Sequence, residues 1–395
     1  MFNILTIDLE DYFQVHAFSD VIRYEDWDKF ECRIERNTDR LLEILDDVTQ
    51  NSKFKTQNSN LDHSITHSLN NSFTRKVQAT FFILGWIAER YPGVLQRIQK
   101  EGHEIACHGY AHKLVYTQSK EEFRQDIRKA KAILEEITGN EVIGYRAPSY
   151  SITNKSQWAF EVLVEEGFKY DSSIFPIRHD FYGMPDAPRF PFVISFDGNQ
   201  NFEFSMLNCE LNAFKNSKFI THNSKLEINS SSTHSLINPS SDVSAPQHRS
   251  TAALNNSLTQ SPNNSIPDNS KLTIQNSKLN IQNSQFIIEF PISTVKVFGQ
   301  NIPISGGGYF RLFPYSLIRR GLKSINQKEN KPFIFYVHPW EFDTDQPRVK
   351  GAANLSKFRH YVNLDKTEGR FRRLLKDFSF SSVKEIMQLN NSITY

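Results

Sequence analysis

The chain has 395 residues, 38% of them hydrophobic, with 46 basic against 44 acidic side chains, which suits one large domain or two ordinary ones. A formal net charge of +2 gives no global reason to expect nucleic acid or an anionic membrane as partner. Three scattered cysteines, Cys32, Cys107 and Cys209, form no CxxC pair and argue against both a disulfide framework and a structural zinc finger.

In chain order, Phe2, Ile4 and Leu5 open a first strand that runs into TIDLEDYF. Three carboxylates within four residues, Asp8, Glu10 and Asp11, repel one another and require a compensating charge. The opening MFNILTIDLEDYF has neither a basic n-region nor a long apolar run, so a secretory signal is not expected. No segment approaches the roughly 20 apolar residues of a membrane span. The expectation is a protein of a reducing cytoplasm with no stable membrane insertion.

Composition changes over residues 50–73 and again over 215–285, where Asn and Ser dominate. NSKF occurs at Asn51 and Asn216, NSKL at Asn223, Asn269 and Asn276, and NSQF at Asn283. A short unit in two distant places, with no apolar face to stack, reads as an inserted repetitive element and not as a solenoid. Such tracts bury too little apolar surface to offset chain entropy, so disorder or loosely draped loops are expected. The remaining residues, about 300, suit a single domain spanning 1–395 with two interruptions.

Between the insertions, strands and helices alternate. VQATFFIL (77–84) is an apolar strand, followed by a helical stretch that ends at Gly102. HEIACHG is strand-like. Ser119 and Glu122 form a capping box for the next helix, whose apolar positions Phe123, Ile127, Ala130, Leu134 and Ile137 step by three and four. VIGYR reads as a strand, NKSQWAFEVLVEEG as a helix and FKYDSS as a strand, and KPFIFYVHPW carries a last apolar strand over 333–337. Repeated strand–helix units predict a parallel sheet covered by helices. Asp8, His108, Arg146, Asp171 and His338 all fall at or just past the C-terminal end of a strand, where β/α barrels build their sites. The predicted fold is therefore α/β, a distorted or incomplete (β/α) barrel.

Singly, the polar motifs are ambiguous. His108 and His112 in CHGYAH, with a carboxylate, could make an open facial metal site, or they are two surface histidines. Arg146 in YRAPSY precedes Ala-Pro, which takes the chain out of helix and suits a loop at a strand end. His338 in FYVHPW follows five apolar residues, where a core histidine is the default for a lone case. The glycines at 306–308 are not followed by GK[ST], so they are no phosphate loop.

Together and in this order, the motifs resemble the polysaccharide deacetylases of the NodB-homology type, the family 4 carbohydrate esterases. TIDLED is similar to the first motif of that family, HGYAH to its HxxxH motif, RAPSY to its Arg-x-Pro motif, YDSS to its fourth and YVHPWE to its last. YDSSIFPIRHDFYGMPDAPRFP, IIEFPIST, SGGGYFRLFPY and YVHPWEFDTDQPR resemble, more narrowly, a subfamily associated with bacterial exopolysaccharide and exosortase (PEP-CTERM) loci.

The resemblance implies a metal-dependent hydrolase that removes N-acetyl groups from hexosamine units of a bacterial exopolysaccharide or its precursor. It implies a divalent metal, zinc in the first place, held by a carboxylate, His108 and His112. It implies Asp8 as general base paired with Arg146, and His338 as general acid. A backbone N–H of Ser149 or Tyr150 would face the oxyanion, because Ser149 intervenes where the family commonly has an aromatic directly after Pro. Asp171, Tyr309 and Trp340 are placed on the substrate side. The family's first motif commonly has adjacent Asp-Asp, whereas here the order is Asp8-Leu9-Glu10-Asp11. Strand alternation puts Asp8 and Glu10 on one face, so Glu10 is the expected ligand; a bend after Leu9 would substitute Asp11. Tyr12, Phe13, Tyr150, Tyr309, Phe310 and Trp340 are either core or sugar-stacking residues, with Tyr309 and Trp340 the leading groove candidates.

Three alternatives remain. One is a hydrolase of another non-peptide C–N bond in a small molecule, and one is a non-catalytic carbohydrate-binding relative. A 2-His-1-carboxylate iron oxygenase shares the ligand set, but repeated βα units disfavour it.

Overall fold

In a computed structural model of the chain, the described residues are 1–57, 76–179, 181–196, 202–206 and 285–392. The insertion read over 215–285 lies outside them except for its last residue. Most of the one read over 50–73 does too, although a helix, Ile34–Gln57, extends into its start. The chain divides into a unit of residues 1–216 and 274–395 and a unit of residues 217–273 that falls wholly outside the described residues.

The strands in chain order are β1 (Phe2–Leu9), β2 (Thr80–Ile83), β3 (Glu104–Cys107), β4 (Gly144–Tyr145), β5 (Tyr170–Asp171), β6 (Phe192–Phe196), β7 (Phe202–Met206), β8 (Gln285–Glu289), β9 (Thr294–Val297), β10 (Gln300–Pro303), β11 (Ile334–Val337) and β12 (Ser379–Ser381). Their order in the main sheet is β11-β1-β2-β3-β4-β5-β8-β6-β7. Pairing is parallel from β11 through β8, and antiparallel only where β6 joins β8 and β7. β12 adds to the start of β1, and β9 and β10 form a separate hairpin.

The strands are apolar on both faces because both are covered. Ile4, Phe82, Ala106, Tyr170, Ile288, Ile334 and Tyr336 form an inner cluster. Their sequence neighbours Leu5, Phe81, Ile83, Phe335 and Val337 belong to the larger core under the helices. The helices follow their local signals. Ser119 and Glu122 complete a capping box for Lys120–Thr138, whose Phe123, Ile127, Ala130 and Leu134 are buried. The stretch before Gly102 is two helices, Gly85–Arg90 and Pro92–Lys100, because Pro92 starts a new one.

No ladder joins β8 to β11, so the barrel is incomplete. Single contacts span the gap: the Ile334 N–H donates to Ser293 Oγ at 2.8 Å and the Tyr336 N–H to the Ser305 carbonyl at 2.9 Å. Gly306, at φ 139°, passes so close to Tyr336 that a side chain there would strike the Tyr336 carbonyl. The N-terminal end of the barrel is filled by Glu104, which accepts from the Tyr170 hydroxyl (2.7 Å), the Thr80 hydroxyl (2.6 Å) and the Lys384 N–H (2.9 Å). A second group of polar side chains gathers at the opposite, C-terminal end.

Candidate metal and catalytic site

Strand parity builds the site. With Ile4 inside the barrel, Thr6 and Asp8 face inward too, and Glu10 continues that face just past the end of β1. His108 follows β3 and His112 lies four residues on, at φ 52°. Glu10, His108 and His112 each offer a ligand atom, and these atoms lie within 4.8 Å of one another. His112 Nε2 is 2.8 Å from Glu10 Oε2, a buried oxygen that receives no hydrogen bond. The His108 Nδ1–H donates to the Arg146 carbonyl at 2.8 Å, which leaves Nε2 with its lone pair. Burial pushes His108 down to about 4, so this imidazole is neutral at pH 7. Burial alone would raise Glu10, but the charge of His112 beside it, with those of His338 and His108, holds it at about 2. An orphaned carboxylate oxygen facing two imidazoles is a donor set that fits a divalent cation, with coordination positions left open.

Arg146 is fully buried beside this group. Its Nη1 donates to Asp8 Oδ1 at 2.6 Å and to Thr6 Oγ1 at 2.8 Å. Its Nε donates to the Ser172 carbonyl at 2.9 Å, and its Nη2 to Ser172 Oγ at 2.7 Å. Its guanidinium also lies 4.2 Å from the centre of the Phe82 ring. A buried charge this well partnered holds the Asp8 carboxylate in one orientation.

On the other side of Asp8 stands His338. Its Nε2 is 3.8 Å from Asp8 Oδ2 and 3.4 Å from Glu10 Oε1. Its Nδ1–H donates to Glu341 Oε1 at 2.6 Å. Burial would push this imidazole down, but the bond to Glu341 and the charges of Glu10, Glu341 and Asp8 outweigh it and hold His338 at about 9. Above the cluster, Ser149 and Tyr150 both adopt positive φ, 52° and 55°. The Tyr150 N–H is taken by the Ala147 carbonyl at 3.0 Å, whereas the Ser149 N–H has no such acceptor among the described residues. Of the two, Ser149 is the one that can donate to a ligand.

Three expectations are corrected. Asp11 is not among the residues gathered around the candidate cation: it falls on the outward parity of β1, where its carboxylate accepts from the Tyr12 and Arg33 N–H groups. Burial there pushes it up to about 6. Asp171 does not face the opening, because Tyr170 and Ser172 take the inward positions of that segment. It is buried under the helices, accepting from the Ser173 hydroxyl at 2.6 Å and sharing a hydrogen bond with Glu289. Trp340 is no sugar platform. It is 4% exposed, stacked between His338 (5.2 Å, 22°) and His360 (4.0 Å, 12°).

Tyr12, Phe13 and Phe310 are likewise core. Tyr150 is buried with its hydroxyl unpartnered, and Tyr309 is half-buried against Phe313. Sequence reasoning passed over Thr6, Ser172, Arg311 and Glu341. Glu341 had a signal: HPWE has capping-box spacing, and His338 and Glu341 do form that box on the turn Pro339–Phe342.

A family model described as polysaccharide deacetylase matches residues 59–165, and one described as a domain of unknown function (DUF3473) matches residues 261–388. The chain is 38% identical over 86 residues to a peptidoglycan-N-acetylglucosamine deacetylase of Bacillus cereus, covering 22% of this chain and 31% of that protein. It is 37% identical over 98 residues to the peptidoglycan deacetylase-like protein FGM2 of Gibberella zeae, 25% of this chain and 28% of that protein. It is 35% identical over 91 residues to the peptidoglycan-N-acetylmuramic acid deacetylase PdaC of Bacillus subtilis, 22% of this chain and 20% of that protein. The chain thus spans less than a third of the length of these relatives. Residues 59–165 hold His108, His112 and Arg146, at the centre of the cluster just described. Over residues 59–165 the chain thus carries a polysaccharide deacetylase domain, similar to those of the NodB-homology type, the family 4 carbohydrate esterases.

Proposed function

We propose that this chain is a metal-dependent hydrolase that removes the N-acetyl group from hexosamine units of a glycan, an exopolysaccharide or its precursor. One observation carries the reading: His338 Nε2 stands 3.8 Å from Asp8 and 3.4 Å from Glu10, so a base and an acid both border a place where a cation fits. Zinc is the proposed ion, and relatives named as N-acetylglucosamine deacetylases support the substrate class.

A cation held by Glu10, His108 and His112 would polarise the acetyl carbonyl and acidify water. Asp8, kept in place by Arg146, takes the proton of the attacking water. The Ser149 N–H would donate to the oxygen that becomes negative. His338 Nε2 gives its proton to the departing amine nitrogen, which needs one because an amide anion is a poor leaving group. Asp8 and His338 are on the same cluster but approach through different strands, β1 and β11, so one can accept while the other donates.

The test is metal analysis together with acetate release from N-acetylglucosamine oligomers, for wild type, Asp8→Asn and His108→Ala. Asp8→Asn is expected to keep the metal and lose turnover, and His108→Ala to lose both. Full activity in both variants would overturn the reading.

A further inference from the structure

Behind His338 lies a second layer of charge that the proposed reaction does not account for. Glu341 is fully buried. Its Oε1 accepts twice from His338, from the ring Nδ1–H at 2.6 Å and from the backbone N–H at 3.1 Å. Its Oε2 accepts from Arg311 Nε at 2.7 Å. Arg311 is itself buried, also donates to the His360 carbonyl, and lies 5.0 Å from the centre of the Trp340 ring. Trp340 in turn stacks on His338. The imidazole is thus held by a carboxylate at one nitrogen and by an indole on one face.

We propose that Glu341, fixed by Arg311, is the positioning residue for the proton donor: it keeps the His338 proton on Nδ1 occupied and aims Nε2 at the leaving nitrogen. The proposal rests on the reading of His338 as the acid. Four observations support it. Both oxygens of Glu341 are used, one on each partner, so the carboxylate cannot swing. The pair Arg311–Glu341 is buried, and a buried pair broken at one end leaves an uncompensated charge, so its geometry is strongly enforced. Pro339 begins the turn that brings Glu341 back to His338, so the link is local and short. The other carboxyl that a family motif supplies, Asp171, is turned away from the cleft and paired with Glu289, which leaves Glu341 as the carboxylate bonded to the His338 ring Nδ1 among the described residues.

Glu341→Gln keeps the shape and an acceptor for Arg311 but removes the charge that orients the ring. Two readouts separate positioning from a structural role. The first compares an N-acetyl amide with an aryl acetate, whose phenolate leaves without a proton. Glu341→Gln is expected to lower kcat on the amide on the order of a hundredfold, with KM little moved and a much smaller loss on the ester. An amide-to-ester ratio equal to that of wild type would overturn the proposal. The second is the downfield ring N–H proton resonance of His338 in the NMR spectrum, identified by its loss in His338→Gln. It is expected in wild type and absent or moved upfield in Glu341→Gln; if it persists unmoved, the proposal is wrong. This second readout needs no turnover. A wild type that releases acetate from neither compound would sink the deacetylase reading while the resonance still decides the positioning role. Should Glu341→Gln fail to fold, Arg311→Lys keeps the cation but cannot hold Glu341 and the His360 carbonyl together, and is expected to shift both readouts the same way.

Discussion

Arg146 Nη1 lies 2.6 Å from Asp8 Oδ1, with both side chains sealed inside the barrel mouth. Arg146 supplies part of the positive charge that the carboxylates at the end of β1 require. Arg146→Met would leave Asp8 buried without its counter-charge, and a loss of about 3–5 kcal/mol is expected in urea unfolding. Adding Asp8→Asn should recover part of it, because the double variant no longer buries a lone charge. Equal stability of single and double variants would show the two residues to be uncoupled.

The candidate cation site gives a second expectation. A ligand that binds only the folded state stabilises it, by about 2.7 kcal/mol at a hundredfold excess over Kd. Zinc titrated into metal-stripped protein is therefore expected to raise Tm for wild type and not for His112→Ala. Because Glu10 accepts no hydrogen bond at Oε2, Glu10→Gln should also abolish the rise, whereas Asp11→Asn should leave it in place. A wild-type Tm indifferent to zinc would count against the site.

Asp171 and Glu289 offer a test in pH. They pair in register between β5 and β8, and both are raised because burial penalises their charged forms; Glu289 is raised well above its ordinary 4.5. Glu289 Oε2 meets no N–H or hydroxyl donor, so a shared proton is what satisfies it. A carboxyl raised in the folded state binds a proton that the unfolded chain releases. Its stabilising contribution is complete below 4.5 and declines as pH climbs towards the higher folded value. Glu289→Gln replaces the proton with an amide N–H. Its unfolding free energy is expected to be flatter than that of wild type from about pH 5 to 8 and higher at the alkaline end. Parallel pH profiles for the two proteins would exclude the shared proton.

Gly144 provides a packing test. A Cβ at this position on β4 would collide with the ring and hydroxyl of Tyr170, which is anchored at the barrel floor by Glu104. Since Tyr170 cannot retreat without leaving that carboxylate, Gly144→Ala is expected to cost about 3 kcal/mol or more, measured by thermal or denaturant unfolding. A variant as stable as wild type would mean that Tyr170 is free to move.

Much of this arrangement is legible in short stretches of sequence. The capping box at Ser119 and Glu122 and the apolar spacing of the following helix depend on neighbours three and four residues apart, and both appear in the structure. The parity of β1 distinguishes Glu10 from Asp11 without any tertiary information. The same parity argument applied to YDSS would have turned Asp171 outward, since Tyr170 and Ser172 occupy the alternate positions. Strand lengths were less legible: β4 and β5 have two residues each, shorter than the strands read from VIGYR and FKYDSS.

By itself, then, the sequence determined the alternation of apolar strands and amphipathic helices, and with it the end of the barrel at which polar residues collect. These follow from periodicity, which is a property of adjacent residues. What the tertiary structure decided are the partners: Trp340 reaching Glu10 across 330 residues, Ser172 under Arg146, Arg311 behind Glu341 and Glu289 against Asp171. Such contacts join residues that no local pattern relates. They depend on which strands become neighbours and on the room left between them. A tryptophan two residues past a histidine can line a groove or lie buried beneath it, and the packing of His360 on the far face of Trp340 settled that it is buried.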